Sequence, residues 1–386
     1  MTKPRIAMPR GTLGVTRRTN ERKLLWTPSS SAVHEGFLYA LAIAQERARF
    51  ELHHGVLLPT HEHLTLTPGW ETDIGEAFRW VHRESARFLQ EHLLASGYDA
   101  PQAVWDKRST HAMHLVDAGA QLEWLLYSVL NVLEAGLVEQ VRDWPGWVSA
   151  LGLLKGGVVV VKRPEVYFGS DQPAERELVF TPPPELARLF GSELEGVVYW
   201  LHKQVEWRER DLRGRDVVGA SRVPRIDPFA EPRTCRERRG QRIPRYKVGR
   251  GWAPEERKTL LEQLRGEDAR FLVESAHAWR SWCGGDRDAV FPYGTLQMVS
   301  QQGARCADAH PDAVLCAAER TATYGSGGSI ADDVKRASEA SREELDLVEL
   351  DASSCFDMAH AGRATSLTPP RAARAGVGSG RRGGPL

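Results

Sequence analysis

Phe50-Glu51-Leu52-His53-His54-Gly55-Val56-Leu57-Leu58-Pro59-Thr60-His61-Glu62-His63-Leu64-Thr65-Leu66-Thr67 decides the reading of this chain. Phe50 to Leu58 and His61 to Thr67 are rich in β-branched and apolar residues, and Pro59-Thr60 supplies a turn between them, which is the pattern of a β-hairpin. Upstream, Leu13 to Thr19 reads as a short strand. Ser29 to Ser31 offers caps for a helix whose Val33, Phe37, Leu41, Ala44 and Ala48 recur at helical spacing. Downstream, Glu76 to Ala95 forms a second helix ended by Gly97, and Ala112 to Val116 a weaker strand. Asp117 then caps a third helix that runs to Ala135 and stops at Gly136. The order strand, helix, strand, strand, helix, strand, helix predicts an α+β domain, a ferredoxin-like antiparallel sheet with packed helices, over residues 1–150.

The whole chain has 386 residues, 41% of them hydrophobic, with 51 basic and 51 acidic side chains. That apolar fraction supports real cores, and zero net charge excludes a uniformly basic nucleic-acid coat while leaving local patches open. No apolar run approaches a membrane span, and Met1 to Arg10 lacks the apolar stretch of a signal peptide, so the expectation is a soluble, cytoplasmic protein. The five cysteines are scattered and never form C-x-x-C, which indicates neither a disulfide framework nor a cysteine zinc site.

Beyond Trp144-Pro145-Gly146, the Gly/Val segment Gly156 to Val161 and the prolines ending at Pro184 suggest a linker over 151–184. A mainly helical accessory region is expected over 185–308. Its first stripe is Leu194, Val197, Val198, Leu201 and Val205, and a second helix opens at Pro254 and reaches about Trp282. Between them, Ser221 to Arg250 carries ten basic and three acidic residues with scattered prolines, an extended basic loop. Residues 309–386 decay into Ala, Gly, Ser, Arg and Pro, the composition of a disordered tail.

Two constellations carry chemistry. In His61-Glu62-His63 the strand alternation projects both imidazoles from one face, close enough to share a divalent metal, with Glu62 on the other face. Alone the pair is equally a couple of strand histidines satisfied by neighbours, since about 0.4 such pairs arise by chance at this histidine frequency. On the helix after Asp117 the core stripe is Leu122, Leu125, Leu126, Val129 and Leu133, which leaves Tyr127 and Asn131 one turn apart on the opposite side. Tyr127 is there either a solvated ring or a nucleophile activated by a nearby metal or base, and Asn131 offers an amide oxygen to a hard cation.

Gly14-Val15-Thr16-Arg17-Arg18-Thr19, Val56 to Leu64, Leu126-Tyr127-Ser128-Val129-Leu130-Asn131, Ala135-Gly136-Leu137-Val138 and Trp144-Pro145-Gly146 together resemble, in order, the REP-associated tyrosine transposases. These are relatives of the single-tyrosine transposases of small insertion sequences, within the HUH endonucleases. The resemblance spans about residues 5–150, and Val290-Phe291-Pro292-Tyr293-Gly294-Thr295 looks like part of the extension of longer members. It implies a transposase-like, metal-dependent endonuclease and strand transferase acting on single-stranded or hairpin DNA. Tyr127 would be the nucleophile forming a 5′-phosphotyrosine intermediate, with His61, His63 and Asn131 holding Mg2+ or Mn2+. Three positions depart from the pattern. Thr60 stands where Asn is common, Glu62 replaces the hydrophobic middle residue, and Asn-Pro-Val reads Asn131-Val132-Leu133. A carboxylate at position 62 faces a packed side and requires a partner there.

DNA contact is expected from Met1 to Ser30, with seven basic residues and one acidic, where Arg17 and Arg18 would hold backbone phosphate. The basic loop would contribute Arg236, Arg238, Arg239, Arg242 and Arg245, with Tyr246 and Trp252 as stacking rings. The alternative within the resemblance is a decayed or domesticated protein that binds DNA hairpins without cleaving them. A hydrolytic zinc centre with His54 as third ligand would suit the histidine pair as well, but leaves the ordered blocks unexplained.

Overall fold

The computed structural model describes residues 11–69, 74–107, 110–230 and 244–308, together with Val334 and Arg336. Strand β1 (Leu13–Arg18), helix α1 (Ser31–Ala48), strands β2 (Glu51–Leu58) and β3 (His61–Thr67), helix α2 (Ile74–Ala95) and strand β4 (His111–Leu115) follow in the expected order. The spatial order β2-β3-β1-β4 is antiparallel throughout, the ferredoxin-like arrangement. Helix α3 (Ala118–Glu134) then crosses to the other face of the sheet. Asp117 caps it as expected, accepting from Ala120 N–H at 2.8 Å, and Gly136 ends it with φ +65°.

Strand alternation divides the core. Leu13, Val15, Leu64 and Leu66 face α1 and α2 with Phe37, Leu41, Phe88 and Leu89 in one apolar cluster. The opposite face of β2 presents Val56 and Leu58 to Val132 and Leu133 of α3. Gly14 lies on that side, where a Cβ would come within 2.6 Å of the Trp124 ring. Gly14→Ala is therefore expected to destabilise the fold by about 1–3 kcal/mol in urea denaturation, because the indole and the strand cannot both keep their places.

The boundary expected at residue 150 does not hold. Segment 151–184 is no linker, since it contributes strands β6 (Gly157–Lys162) and β7 (Glu175–Phe180), which extend the sheet through a parallel pair of β7 with β2. Val161, Leu178 and Phe180 supply the reason, as they alternate onto the α1 cluster and close its edge. The short strand β5 (Trp147–Val148) also pairs with β2. Helices α4 (Pro184–Phe190) and α5 (Leu194–Asp211) share one apolar cluster with Leu122, Leu125 and Val129 of α3, so this part of the accessory region is continuous with the first unit. Of the expected tail, most lies outside the described residues, but Val334 is fully buried in that same cluster. Strand β8 (Tyr246–Lys247) pairs with β4 at the far edge of the sheet. Helix α6 (Pro254–Cys283) packs Leu260 and Leu264 on Tyr246 and Val248, and its last turns meet strand β9 (Val290–Phe291) and helix α7 (Leu296–Gln302). Among the described residues no helix is long and apolar enough to cross a membrane.

Burial depresses several histidines of the folded body. His34 and His53 are lowered to about 4 and His54 to about 3, from an ordinary 6.5. Between pH 6.5 and 4 the unfolded chain therefore binds protons that the folded chain does not, and stability falls as pH is lowered through that window. A melting temperature followed from pH 7 to pH 4 should drop steeply below about pH 6.5.

Candidate active site

The two motif histidines project from β3 toward α3, as their spacing predicts. The His61 and His63 rings meet edge to face with centroids 4.7 Å apart. A hydroxyl holds each Nδ1. Thr60 Oγ1 is 2.8 Å from that of His61, and Thr16 Oγ1, directly across the β1–β3 ladder, is 2.9 Å from that of His63. Asn131 Nδ2 lies 3.1 Å from His63 Nε2, so the amide of α3 and the hydroxyl of β1 engage the two ring nitrogens of this histidine. Burial holds both imidazoles neutral. His61 is lowered to about 4, with Arg18 and Arg22 adding to the effect, and His63 falls well below its usual value through burial and the neighbouring His61, His54 and Arg18.

Tyr127 joins this group from α3. Its ring lies 5.3 Å from that of His63 and 5.5 Å from that of Trp124, yet it remains 52% exposed, within reach of a macromolecular substrate. Trp124 also meets His63 edge to face at 5.5 Å, so the indole that rests on Gly14 forms the floor under both nucleophile candidate and histidine. Trp124 lies one turn before Tyr127 on α3 and against Gly14 of β1.

His61, His63 and Asn131 are the side chains that would hold a divalent cation on this face. Two neutral imidazoles present or can present Nε2, and the Asn131 amide already reaches the same nitrogen, so turning it by half a rotation offers its oxygen. For the zinc alternative, His54 Nδ1 is engaged with Ser149 Oγ at 2.6 Å while its Nε2 is buried without a partner, and among the described residues no three His, Cys, Asp or Glu side chains are grouped to hold a metal.

The three departures are accommodated. Thr60 orients His61, and Val132 is fully buried beside Val56 and Leu58. Glu62, buried on the α2 side, is met by His82 Nε2 at 2.6 Å.

The basic residues separate into several groups. Arg18 shares the face of His61, whereas Arg17 is turned to the other side by strand alternation and is consumed there, donating to Asp106 O at 2.7 Å and Thr110 Oγ1 at 3.2 Å. Arg17 therefore lies on the side of the sheet away from His61 and His63, with its Nε buried and unpartnered. Arg236, Arg238, Arg239 and Arg242 lie outside the described residues. Arg245, partly exposed, pairs with Asp268 of α6 at 2.6 Å, and Tyr246 is buried with its hydroxyl on Asp268 at 2.9 Å, so the Tyr246 ring is not displayed for stacking. Trp252 donates to Asp117 at 3.1 Å and packs against the β8 cluster. The end of the basic loop nevertheless abuts the tyrosine helix. Lys247 pairs with Glu123 at 2.7 Å, and the backbone N–H of Arg250, whose side chain is 83% exposed, donates to Glu123 one turn before Tyr127.

No protein-family profile matches the chain, and no curated protein matches it. Among solved structures, a REP-associated tyrosine transposase bound to a REP hairpin aligns at 23% identity and a TM-score of 0.30, over 38% of this chain and 81% of its own. A candidate transposase from Deinococcus radiodurans R1 aligns at 18% identity and a TM-score of 0.24, over 33% of this chain and 95% of its own.

Proposed function

We propose that the protein is a transposase-like endonuclease that cleaves single-stranded or hairpin DNA through Tyr127. The observation that carries this reading is the convergence of His61, His63 and Asn131 on one side of a half-exposed tyrosine, from elements more than sixty residues apart in sequence. Tyr127 Oη attacks the phosphorus, forming a P–O bond to the tyrosine and breaking the P–O3′ bond. The phenolic proton passes to water, and the departing oxygen is protonated to a free 3′-hydroxyl. The energy of the ester is kept in the 5′-phosphotyrosine link, so rejoining needs no nucleotide. His61, His63 and Asn131 would hold a divalent ion, which would supply charge stabilisation to the phosphate under attack. Thr16 and Thr60 fix the imidazole orientations, and Trp124 holds the Tyr127 ring over His63. Arg18 beside His61 and the exposed Arg250 near Glu123 provide positive charge for the strand.

The test is to incubate the protein with end-labelled hairpin DNA and Mn2+ and to resolve the products under denaturing conditions. A labelled band at protein mass that EDTA abolishes is expected. Hairpin binding with no such band under any divalent ion would overturn cleavage in favour of a binding-only protein.

A further inference from the structure

Between β1 and α1 the chain makes a turn in which Glu21 and Arg22 both carry positive φ, +54° and +56°. Neither is a glycine, and consecutive left-handed residues of this kind persist only where their surroundings impose them. Here the constraint is explicit. Thr19 N–H donates to Thr60 O at 2.8 Å, and the Thr19 hydroxyl to Lys23 O at 2.7 Å. Asn20 N–H donates to Val104 O at 2.8 Å, and Trp26 N–H to Pro59 O at 3.0 Å. The strained turn is thus bolted to the Pro59-Thr60 turn that leads directly into His61.

What the turn presents is Arg22. Its neighbour Glu21 is taken by Lys23 at 3.0 Å, and among the described residues no carboxylate pairs with Arg22, whose Nε is buried without a hydrogen-bond partner. A guanidinium with one buried, unpartnered nitrogen and no carboxylate, held by a strained backbone that is hydrogen-bonded to the turn leading into His61, is arranged to receive an anion.

We propose that Arg22 holds the phosphate undergoing cleavage, clamping its oxygens on the His61 side while Tyr127 approaches from α3. This rests on reading the His61–His63–Tyr127 face as a DNA-cleaving site.

The test separates the two claims. In metal-free buffer, the melting temperature is measured in inorganic phosphate and in chloride at equal ionic strength, for wild type, Arg22→Gly, Arg22→Gln and Glu21→Gly. Glycine relieves the positive φ at either position, so both glycine variants should melt higher than wild type in chloride. Phosphate should raise the wild-type and Glu21→Gly melting temperatures by about 2 °C or more, and leave both Arg22 variants unmoved. With hairpin DNA and Mn2+, adduct yield should fall at least about tenfold in both Arg22 variants and stay near wild type in Glu21→Gly. A wild type indifferent to phosphate, or a phosphate response that either Arg22 variant keeps, overturns the proposal. If wild type forms no adduct yet its phosphate response depends on Arg22, the cleavage reading fails and the anion site stands.

Discussion

Tyr127→Phe is expected to abolish the denaturation-resistant DNA adduct, lowering its yield by roughly a thousandfold or more, while hairpin affinity and melting temperature change little. The contrast follows from the environment of the ring. Tyr127 is half-exposed and its packing, against His63 and Trp124, is through the ring face and edge. Phenylalanine keeps those contacts and removes only the oxygen that would become esterified. His63→Ala should weaken the same adduct by a different route, because it removes a lone pair that a cation would use and leaves Thr16 and Asn131 without their shared partner. Comparing the two variants across Mn2+ concentrations separates them. Excess metal should recover part of the His63→Ala yield and none of the Tyr127→Phe yield. An adduct that persists in Tyr127→Phe would assign the covalent chemistry to another residue.

The parts of this arrangement that were legible in sequence are those governed by local periodicity. A period of two in His61-Glu62-His63 sends the imidazoles one way and the carboxylate the other, and a period of 3.6 in α3 puts Tyr127 and Asn131 on the side away from Leu122, Leu125 and Val129. The cap at Asp117 and the stop at Gly136 were equally local, as was the start of α1 after Ser30, although the Ser30 side chain makes no capping hydrogen bond. Periodicity assigns a face but not what faces it. Hence Arg17 and Arg18 looked equivalent until the β1–β3 register placed them on opposite sides. Tyr246 looked like a loop aromatic until β8 paired with β4 and brought its hydroxyl to Asp268, twenty-two residues on. Strands β6 and β7 were obscured because glycines and prolines flank them, and their place in the sheet is fixed by the distant apolar edge of α1. The turn bearing Arg22 had no sequence signal, since Asn20-Glu21-Arg22 contains no residue that favours positive φ at both positions where it occurs.

The same limit makes Glu62 the clearest stability test. A carboxylate in place of an apolar residue between the two histidines appeared anomalous, but His82 of α2 meets it at 2.6 Å with side-chain exposures of 9% and 0%. A buried pair of this kind contributes little net stability over apolar residues, yet removing one partner strands the other. His82→Ala should therefore destabilise the protein by about 3–5 kcal/mol, since Glu62 is left buried with neither hydrogen bond nor water, and its second oxygen already has no partner. Glu62→Leu alone should be much milder, because an unpartnered imidazole can remain neutral. The double variant Glu62→Leu/His82→Leu should return to within about 1 kcal/mol of wild type or exceed it, giving a large coupling energy in a double-mutant cycle read by urea denaturation. Additive single effects would show that the pair is not the reason a carboxylate is tolerated under the two motif histidines. If coupling is found and the double variant still forms the DNA adduct, Glu62 is a packing solution belonging to this chain, and the chemistry on the opposite face of β3 proceeds without it.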